Sequence, residues 1–268
     1  MTWRASDGVA WTGAPIGDLK TGPFAADRVG GRLTAFAIRA PSGGEPTLAW
    51  SSYDLVSWTS GLLDGGGSSA AGGLTALPDG SGLAFGRWSP APMDAAPFPA
   101  GQAAIWQSTD GQTWQKTPFD PDLANAWVID AAGATGAPIV AVGQRWDPNL
   151  PPDLPYTNAA WWSMDGSSWE PAAWPASLEK AWTPTKVVAA GDGYVVLASD
   201  RRGVATALIA RSADGRTWAA IQPPIAFEGG QATDLVAHDD RLIVVGRTLA
   251  PEGAVTDAIV WIGPANID

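Results

Sequence analysis

The chain has 268 residues and a formal net charge of -11, which excludes duplex nucleic-acid backbones and anionic membrane surfaces as general partners. It holds no cysteine and one histidine, His238, so disulfides, thiolate metal sites and His-rich zinc centres are ruled out and a His-based triad is disfavoured. Apolar residues make up 46 %, enough for a sizeable core, while 32 Gly, 23 Pro and the absence of long 3.6-residue patterns point to an all-β chain of short strands and tight turns.

No run of about 18 apolar residues exists, and Met1-Thr2-Trp3-Arg4 lacks a charged region followed by an apolar one. The chain is expected to be soluble. It is placed outside the cytoplasm or at a bacterial cell surface, its export signal already removed, with the cytoplasm left open.

In chain order, Ala5-Ser6-Asp7-Gly8 leads to Trp11, and residues 8–12 read as a strand with no partners before it. The first unit, 24–60, ends on Ser52-Tyr53-Asp54 and Trp58. The second gives apolar runs at 73–77, 82–87, 103–107 and 113–117, with Ser108-Thr109-Asp110-Gly111 before Trp114. The third, 126–171, carries Ser163-Met164-Asp165-Gly166 before Trp169. The fourth has runs at 185–190, 194–199, 206–211 and 217–221, with Ser212-Ala213-Asp214-Gly215 before Trp218. The fifth, from 232, ends on an apolar run at 258–262 with no motif behind it.

Each unit is thus four antiparallel strands, A to D, joined by tight turns. The motif aspartates at 7, 54, 110, 165 and 214 are spaced by 47, 56, 55 and 49 residues, the length of a propeller blade. The expected fold is a five-bladed β-propeller in a single domain spanning 1–268. Its blades fall at about 23–61, 70–118, 125–172, 183–222 and 231–263 plus 3–13, the N-terminal strand closing the last blade. Trp3 also occupies a strand C position, so the first residues are expected to be partly displaced or to share that strand with the C-terminal segment.

The recurring motif is a folding device. Ser and Asp side chains accept from N–H groups of their own turn, Gly takes a positive φ, and the following Trp covers the sheet. On these residues the chain resembles the Asp-box (BNR-repeat) β-propellers, a group that includes sialidases and many non-catalytic bacterial repeat proteins. The usual family pattern has one more residue between Asp and Gly; the shorter form here is similar to that of bacterial sialidase-like repeat proteins. The resemblance implies that such turns lie on the periphery, away from any active site, and that Asp110, Asp165 and Asp214 are structural.

The B–C connections, long and Pro-rich at 88–102 and 146–158, are where binding is expected. An Arg recurs where strand B ends: Arg39, Arg87 beside Trp88, Arg145 beside Trp146 and Asp147, Arg201 with Arg202, and Arg247. These, with Tyr156, are the candidate ligand-binding residues, a ring of guanidinium groups on one face. The alternative is that each Arg ties a blade to its neighbour. Met93, Phe98, Leu150 and Leu154 lie in the same loops, either as contacts or as loop packing.

Three functions are weighed. The preferred one is a non-catalytic module that recognises a glycan or a protein through the B–C face, needing no cofactor or metal. The second is a glycoside hydrolase of sialidase or arabinanase type, for which only Asp27 and Asp234 stand at strand A starts, while Tyr53 and Tyr194 are not placed for nucleophilic work. The third is a structural or assembly-factor propeller. A pocket carboxyl pair of raised pKa favours the enzyme, and an exposed Trp platform favours a lectin. A broad apolar patch favours a protein partner.

Overall fold

The computed structural model describes residues 2–4, 12–14, 25–37, 47–63, 68–90, 102–151, 155–178, 182–200, 207–221, 230–249 and 255–265. The fold is all-β, a β-propeller of five blades of antiparallel strands. Helix among the described residues is limited to 3-10 turns at Pro121–Leu123 and Ala176–Leu178. The chain falls into two compact units, Met1–Phe119 and Asp120–Asp268.

In the first unit, β1 (Thr2–Arg4) pairs with β2 (Thr12–Ala14). Two sheets follow: β3 (Ala25–Val29), β4 (Arg32–Ala37), β5 (Leu48–Ser52) and β6 (Thr59–Leu62), then β7 (Ser68–Ala76), β8 (Gly82–Ser89), β9 (Gln102–Ser108) and β10 (Gln115–Lys116). The β3–β4 turn uses Gly30 and Gly31 at φ 57° and 79°, as a two-residue hairpin with matching twist requires.

Because alternate side chains leave opposite faces of a strand, the apolar residues meet between the two sheets. Val29 and Phe36 of one blade pack with Leu74, Trp106 and Trp114 of the next, all buried. Trp114 meets Phe36 edge-on at 5.2 Å. The motif Trp therefore seals the preceding blade as well as covering its own sheet.

The second unit repeats the arrangement. One sheet is β11 (Ala126–Ala132), β12 (Ile139–Trp146), β13 (Tyr156–Ser163) and β14 (Glu170–Pro171). The next is β15 (Trp182–Ala190), β16 (Gly193–Asp200), β17 (Ala207–Ser212) and β18 (Ala219–Ala220). The last blade holds β19 (Gly230–His238), β20 (Arg241–Leu249) and β21 (Val255–Pro264). Trp218 meets Trp174 at 5.6 Å, again linking one blade to the one before.

Of the segment expected to close the fifth blade, residues 8–11 lie outside the described residues, as do Asp7 and Trp11 of the first motif. Trp3 stands opposite Gly13 in the β1–β2 register, and in the last blade β21 pairs with β20.

The first strands of successive blades lie side by side: β3 with β7, β11 with β15, and β15 with β19. In β7, β11, β15 and β19 the register slips by one residue, between Ala71/Gly73, Val128/Asp130, Pro184/Lys186 and Ala232/Asp234. The residue opposite the slip is small for a steric reason. A Cβ on Gly143 would lie 2.1 Å from the Trp127 carbonyl oxygen, and one on Gly86 2.1 Å from that of Ala70.

Candidate functional site

The register slip decides which side chain each inner strand presents next. In the second unit the post-slip residues are Asp130, Lys186 and Asp234, on the neighbouring strands β11, β15 and β19. Asp130 is buried, its side chain 8 % exposed, and its Oδ1 lies 3.5 Å from the Lys186 ammonium, which is 35 % exposed. Oδ2 accepts from the Val187 N–H at 2.8 Å. Burial pushes the Asp130 carboxyl up to about 6, against the Lys186 charge and the N–H groups of Val187 and Ala131. The carboxyl thus holds a proton below that pH and stands beside a fixed positive charge that favours its release.

Asp234 is exposed, and its Oδ1 accepts from the Leu235 N–H at 2.9 Å. In the first unit, Asp27 is spent on backbone. Its oxygens accept from the Arg28 and Ala76 N–H groups, both at 2.7 Å, a tie from β3 to the end of β7. Of the two strand A carboxylates singled out from sequence, Asp234 shares the register of Asp130 and Asp27 does not. Asp130 was missed because carboxylates were sought only at strand A starts, and it stands further along its strand, after the slip. The signal lay in aligning Asp130 with Asp234, each two residues after the residue paired to a strand B glycine.

The Arg recurrence does not form one set of equivalent positions. Arg87 and Arg247 stand one residue after the glycine at the slip, whereas Arg145 stands two after Gly143. A one-residue offset sends a side chain to the opposite face of its sheet. Arg145 donates to the Asp122 carbonyl at 2.6 Å and lies 5.7 Å from the Trp161 ring centre. Arg247 donates to the Gln231 side-chain oxygen at 2.7 and 2.9 Å. Trp88 packs under Lys116 at 4.7 Å.

Trp146 pairs across the strands with Tyr156, and Asp147 accepts from the N–H and side-chain amide of Asn149, both at 2.9 Å. Arg39, Met93, Phe98, Leu154, Arg201 and Arg202 lie outside the described residues. Tyr53 is 64 % exposed under Arg32, the buried Tyr194 donates its hydroxyl to the Pro138 carbonyl, and His238 is exposed beside Asp239.

The motif turns share one hydrogen-bond pattern. Asp110 Oδ1 accepts from the N–H groups of Gln112 and Thr113 at 2.8 and 2.7 Å, and Ser108 Oγ accepts from Gly111 at 2.9 Å. Asp165 repeats this with Ser167 and Ser168, Ser163 with Gly166, and Asp214 with Arg216 and Thr217. Asp54 does the same with Val56 and Ser57. Trp114, Trp169 and Trp218 are buried behind these turns.

No protein-family model matches the sequence, and no curated protein matches it. Solved structures do. A Dyadobacter fermentans protein of unknown function aligns at 16 % identity and TM-score 0.56, over 90 % of this chain and 78 % of that one. A GH43 β-1,3-galactosidase solved with galactodeoxynojirimycin aligns at 12 % identity and TM-score 0.48, over 90 % and 89 %. A Bombyx mori GH32 β-fructofuranosidase aligns at 12 % and 0.47, over 84 % of this chain and 55 % of the enzyme.

At such identities the likeness is one of fold. The expectation of a non-catalytic recognition module is nonetheless corrected. The structures of like fold are named mostly as glycoside hydrolases. Asp130 is one inner-strand carboxyl of raised pKa, half of the pair that favours an enzyme.

Proposed function

We propose that the chain is a glycoside hydrolase of the propeller type, with Asp130 as the proton donor to the leaving oxygen and Asp234 as the second carboxylate. The carrying observation is the buried Asp130 carboxyl beside Lys186 on an inner strand. Glycosidic cleavage needs one carboxyl that is protonated near the working pH and one that is ionised. Asp130, held near 6, meets the first need. Lys186 stabilises the carboxylate left after the proton moves to the glycosidic oxygen; the oxygen of a water bonds to the anomeric carbon as the leaving oxygen departs, and the proton that water gives up passes to the Asp234 carboxylate and through solvent back to Asp130.

The carbohydrate chain that forms the substrate lies against aromatic surface at the same end of the blade, where Trp127 is 40 % exposed and Trp146 pairs with Tyr156. The Ser-x-Asp-Gly turns are read as one-residue-shorter Asp-boxes, structural and away from this site, and the setting as extracytoplasmic. Among the described residues no helix is long and apolar enough to cross a membrane.

The test is a panel of aryl glycosides and plant and bacterial polysaccharides, with the pH–rate profile of any substrate turned over. Expected are an alkaline limb near pH 6, a loss of about a hundredfold or more in kcat for Asp130→Asn, and an upward move of the limb for Lys186→Met. No turnover across the panel overturns the reading.

A further inference from the structure

Residues directly opposite each other on antiparallel strands send their side chains to the same face of the sheet. In the third blade Trp127 on β11 stands opposite Gln144 on β12, which stands opposite Asn158 on β13, so the three form one row across the sheet. Asp130 pairs with Val142, two residues from Gln144 along β12, and therefore shares that face. The slip brings it there, since three residues along an unbroken strand would put Trp127 and Asp130 on opposite faces. The rows of Gln144 and Asp130 are about 7 Å apart along the strand, a span that one pyranose ring bridges from its anomeric oxygen to the hydroxyl on its far side.

Gln144 is 9 % exposed, and only half of its amide is used. Both Nε2 protons are engaged, on Asn158 Oδ1 at 3.3 Å and on Thr183 Oγ1 of β15 at 3.4 Å. Asn158 is itself fixed, its Nδ2 donating to the Leu178 carbonyl at 2.6 Å. Gln144 Oε1 accepts from no group among the described residues. It is also reachable, because the solvent-sealed side-chain atoms without a partner, among the described residues, are all N–H groups. With its nitrogen committed, Gln144 offers a ligand an acceptor and nothing else.

We propose that Gln144 selects a chain-end sugar: its Oε1 accepts from a free ring hydroxyl at C3 or C4 while the ring lies over Trp127, so the substrate is cleaved from its non-reducing end. The inference rests on Asp130 as proton donor, since the spacing of the two rows places that hydroxyl and the scissile oxygen on one sugar. An oxygen that carries the next sugar of a chain has lost its proton and is an acceptor only, so an internal residue sets two acceptors face to face. The nearly buried amide also leaves such a substituent no room. A site that hydrogen-bonds a substrate hydroxyl discriminates strongly against the analogue lacking it.

The test follows the Trp127 indole N–H signal of the full chain by NMR, assigned as the one missing in Trp127→Phe. Both anomers of methyl D-glucopyranoside, methyl D-galactopyranoside and methyl D-xylopyranoside are added in turn. Expected is a saturable shift with at least one of them, with a Kd of about 10 mM or tighter. For the sugar that binds, either the 3-deoxy or the 4-deoxy form, and the O-methyl form at the same carbon, bind about tenfold more weakly or worse. Gln144→Met weakens the parent sugar to the same extent and the deoxy sugar no further, a non-additivity that general damage to the blade does not produce. Thr183→Val removes one partner of the amide nitrogen and leaves binding intact, with the other indole signals reporting that each variant is folded. The proposal is overturned if no sugar moves the Trp127 signal, if both deoxy forms bind as well as the parent, or if Gln144→Met weakens parent and deoxy sugar equally. The expected binding pattern without turnover of any glycoside breaks the hydrolase reading and keeps the hydroxyl contact, whereas turnover that is indifferent to Gln144→Met breaks this proposal and keeps the hydrolase.

Discussion

The carboxylates of the Ser-x-Asp-Gly turns and the carboxyl of Asp130 belong to one repeated architecture and titrate in opposite directions. At the turns, backbone N–H groups converge on an exposed oxygen and hold Asp54, Asp165 and Asp214 below the usual carboxylate range. For Asp110 burial works against this, yet the N–H groups of Thr113 and Gln112 prevail. At the inner strand two N–H groups and a lysine act on Asp130, and desolvation still wins. The lesson is that the hydrogen-bond inventory alone does not set the charge state; exposure decides which influence is larger.

The turn side of this contrast breaks most sharply at Gly111. Its φ is +70°, and a Cβ there would lie 2.5 Å from Thr34 Oγ1 and 2.7 Å from the Val29 carbonyl oxygen of the neighbouring blade. Gly111→Ala is expected to cost about 3 kcal/mol, the upper end for a strained backbone position. Gly80→Ala, also at positive φ but with nothing within 4 Å, is the control, expected to cost about 1 kcal/mol. Urea unfolding midpoints of the two variants check the difference.

The inner strand is tested through pH. A carboxyl raised from 3.8 to about 6 binds more protons folded than unfolded, so the chain loses stability as pH rises through that window and regains it as pH falls. The full change across the window is on the order of 3 kcal/mol. The turn aspartates act oppositely, stabilising above their unfolded pKa and losing that contribution as acid protonates them. Unfolding free energy is therefore expected to be higher at pH 5 than at pH 7, and Asp130→Asn is expected to flatten that slope. Asp110→Ala should instead cost about 1 kcal/mol at pH 7 through its lost N–H partners, and should converge on the parent in acid.

The same contrast explains what sequence could show. The turns announce themselves because Ser, Asp, Gly and Trp all act within seven residues, so spacing alone carries the chemistry, and strands such as β8 and β16 follow from the apolar runs between them. Asp130 depends on a register slip at residue 129, which no local composition signals, and on Lys186 from another blade. The Arg recurrence is uneven for a related reason: Gln144 between Gly143 and Arg145 shifts that guanidinium by one residue. In a strand that is enough to exchange faces.

The looser motif copy sharpens the comparison at its smallest scale. Where other copies have Gly, Ser52-Tyr53-Asp54 is followed by Leu55 at φ 63°, with its N–H still donating to Ser52 Oγ at 2.8 Å. The hydrogen bonds of the turn therefore hold a branched residue in a left-handed conformation. Leu55→Gly relieves that strain, worth about 1 kcal/mol or more, but adds freedom to the unfolded chain and removes a half-buried side chain, which offsets part of the gain. The net expectation is a stabilisation of about 0.5 kcal/mol, read as a small rise in the urea midpoint with the slope unchanged. A fall in the midpoint would mean that Leu55 packing outweighs the backbone strain, so that this turn is held by its side chains where the others are held by their glycine.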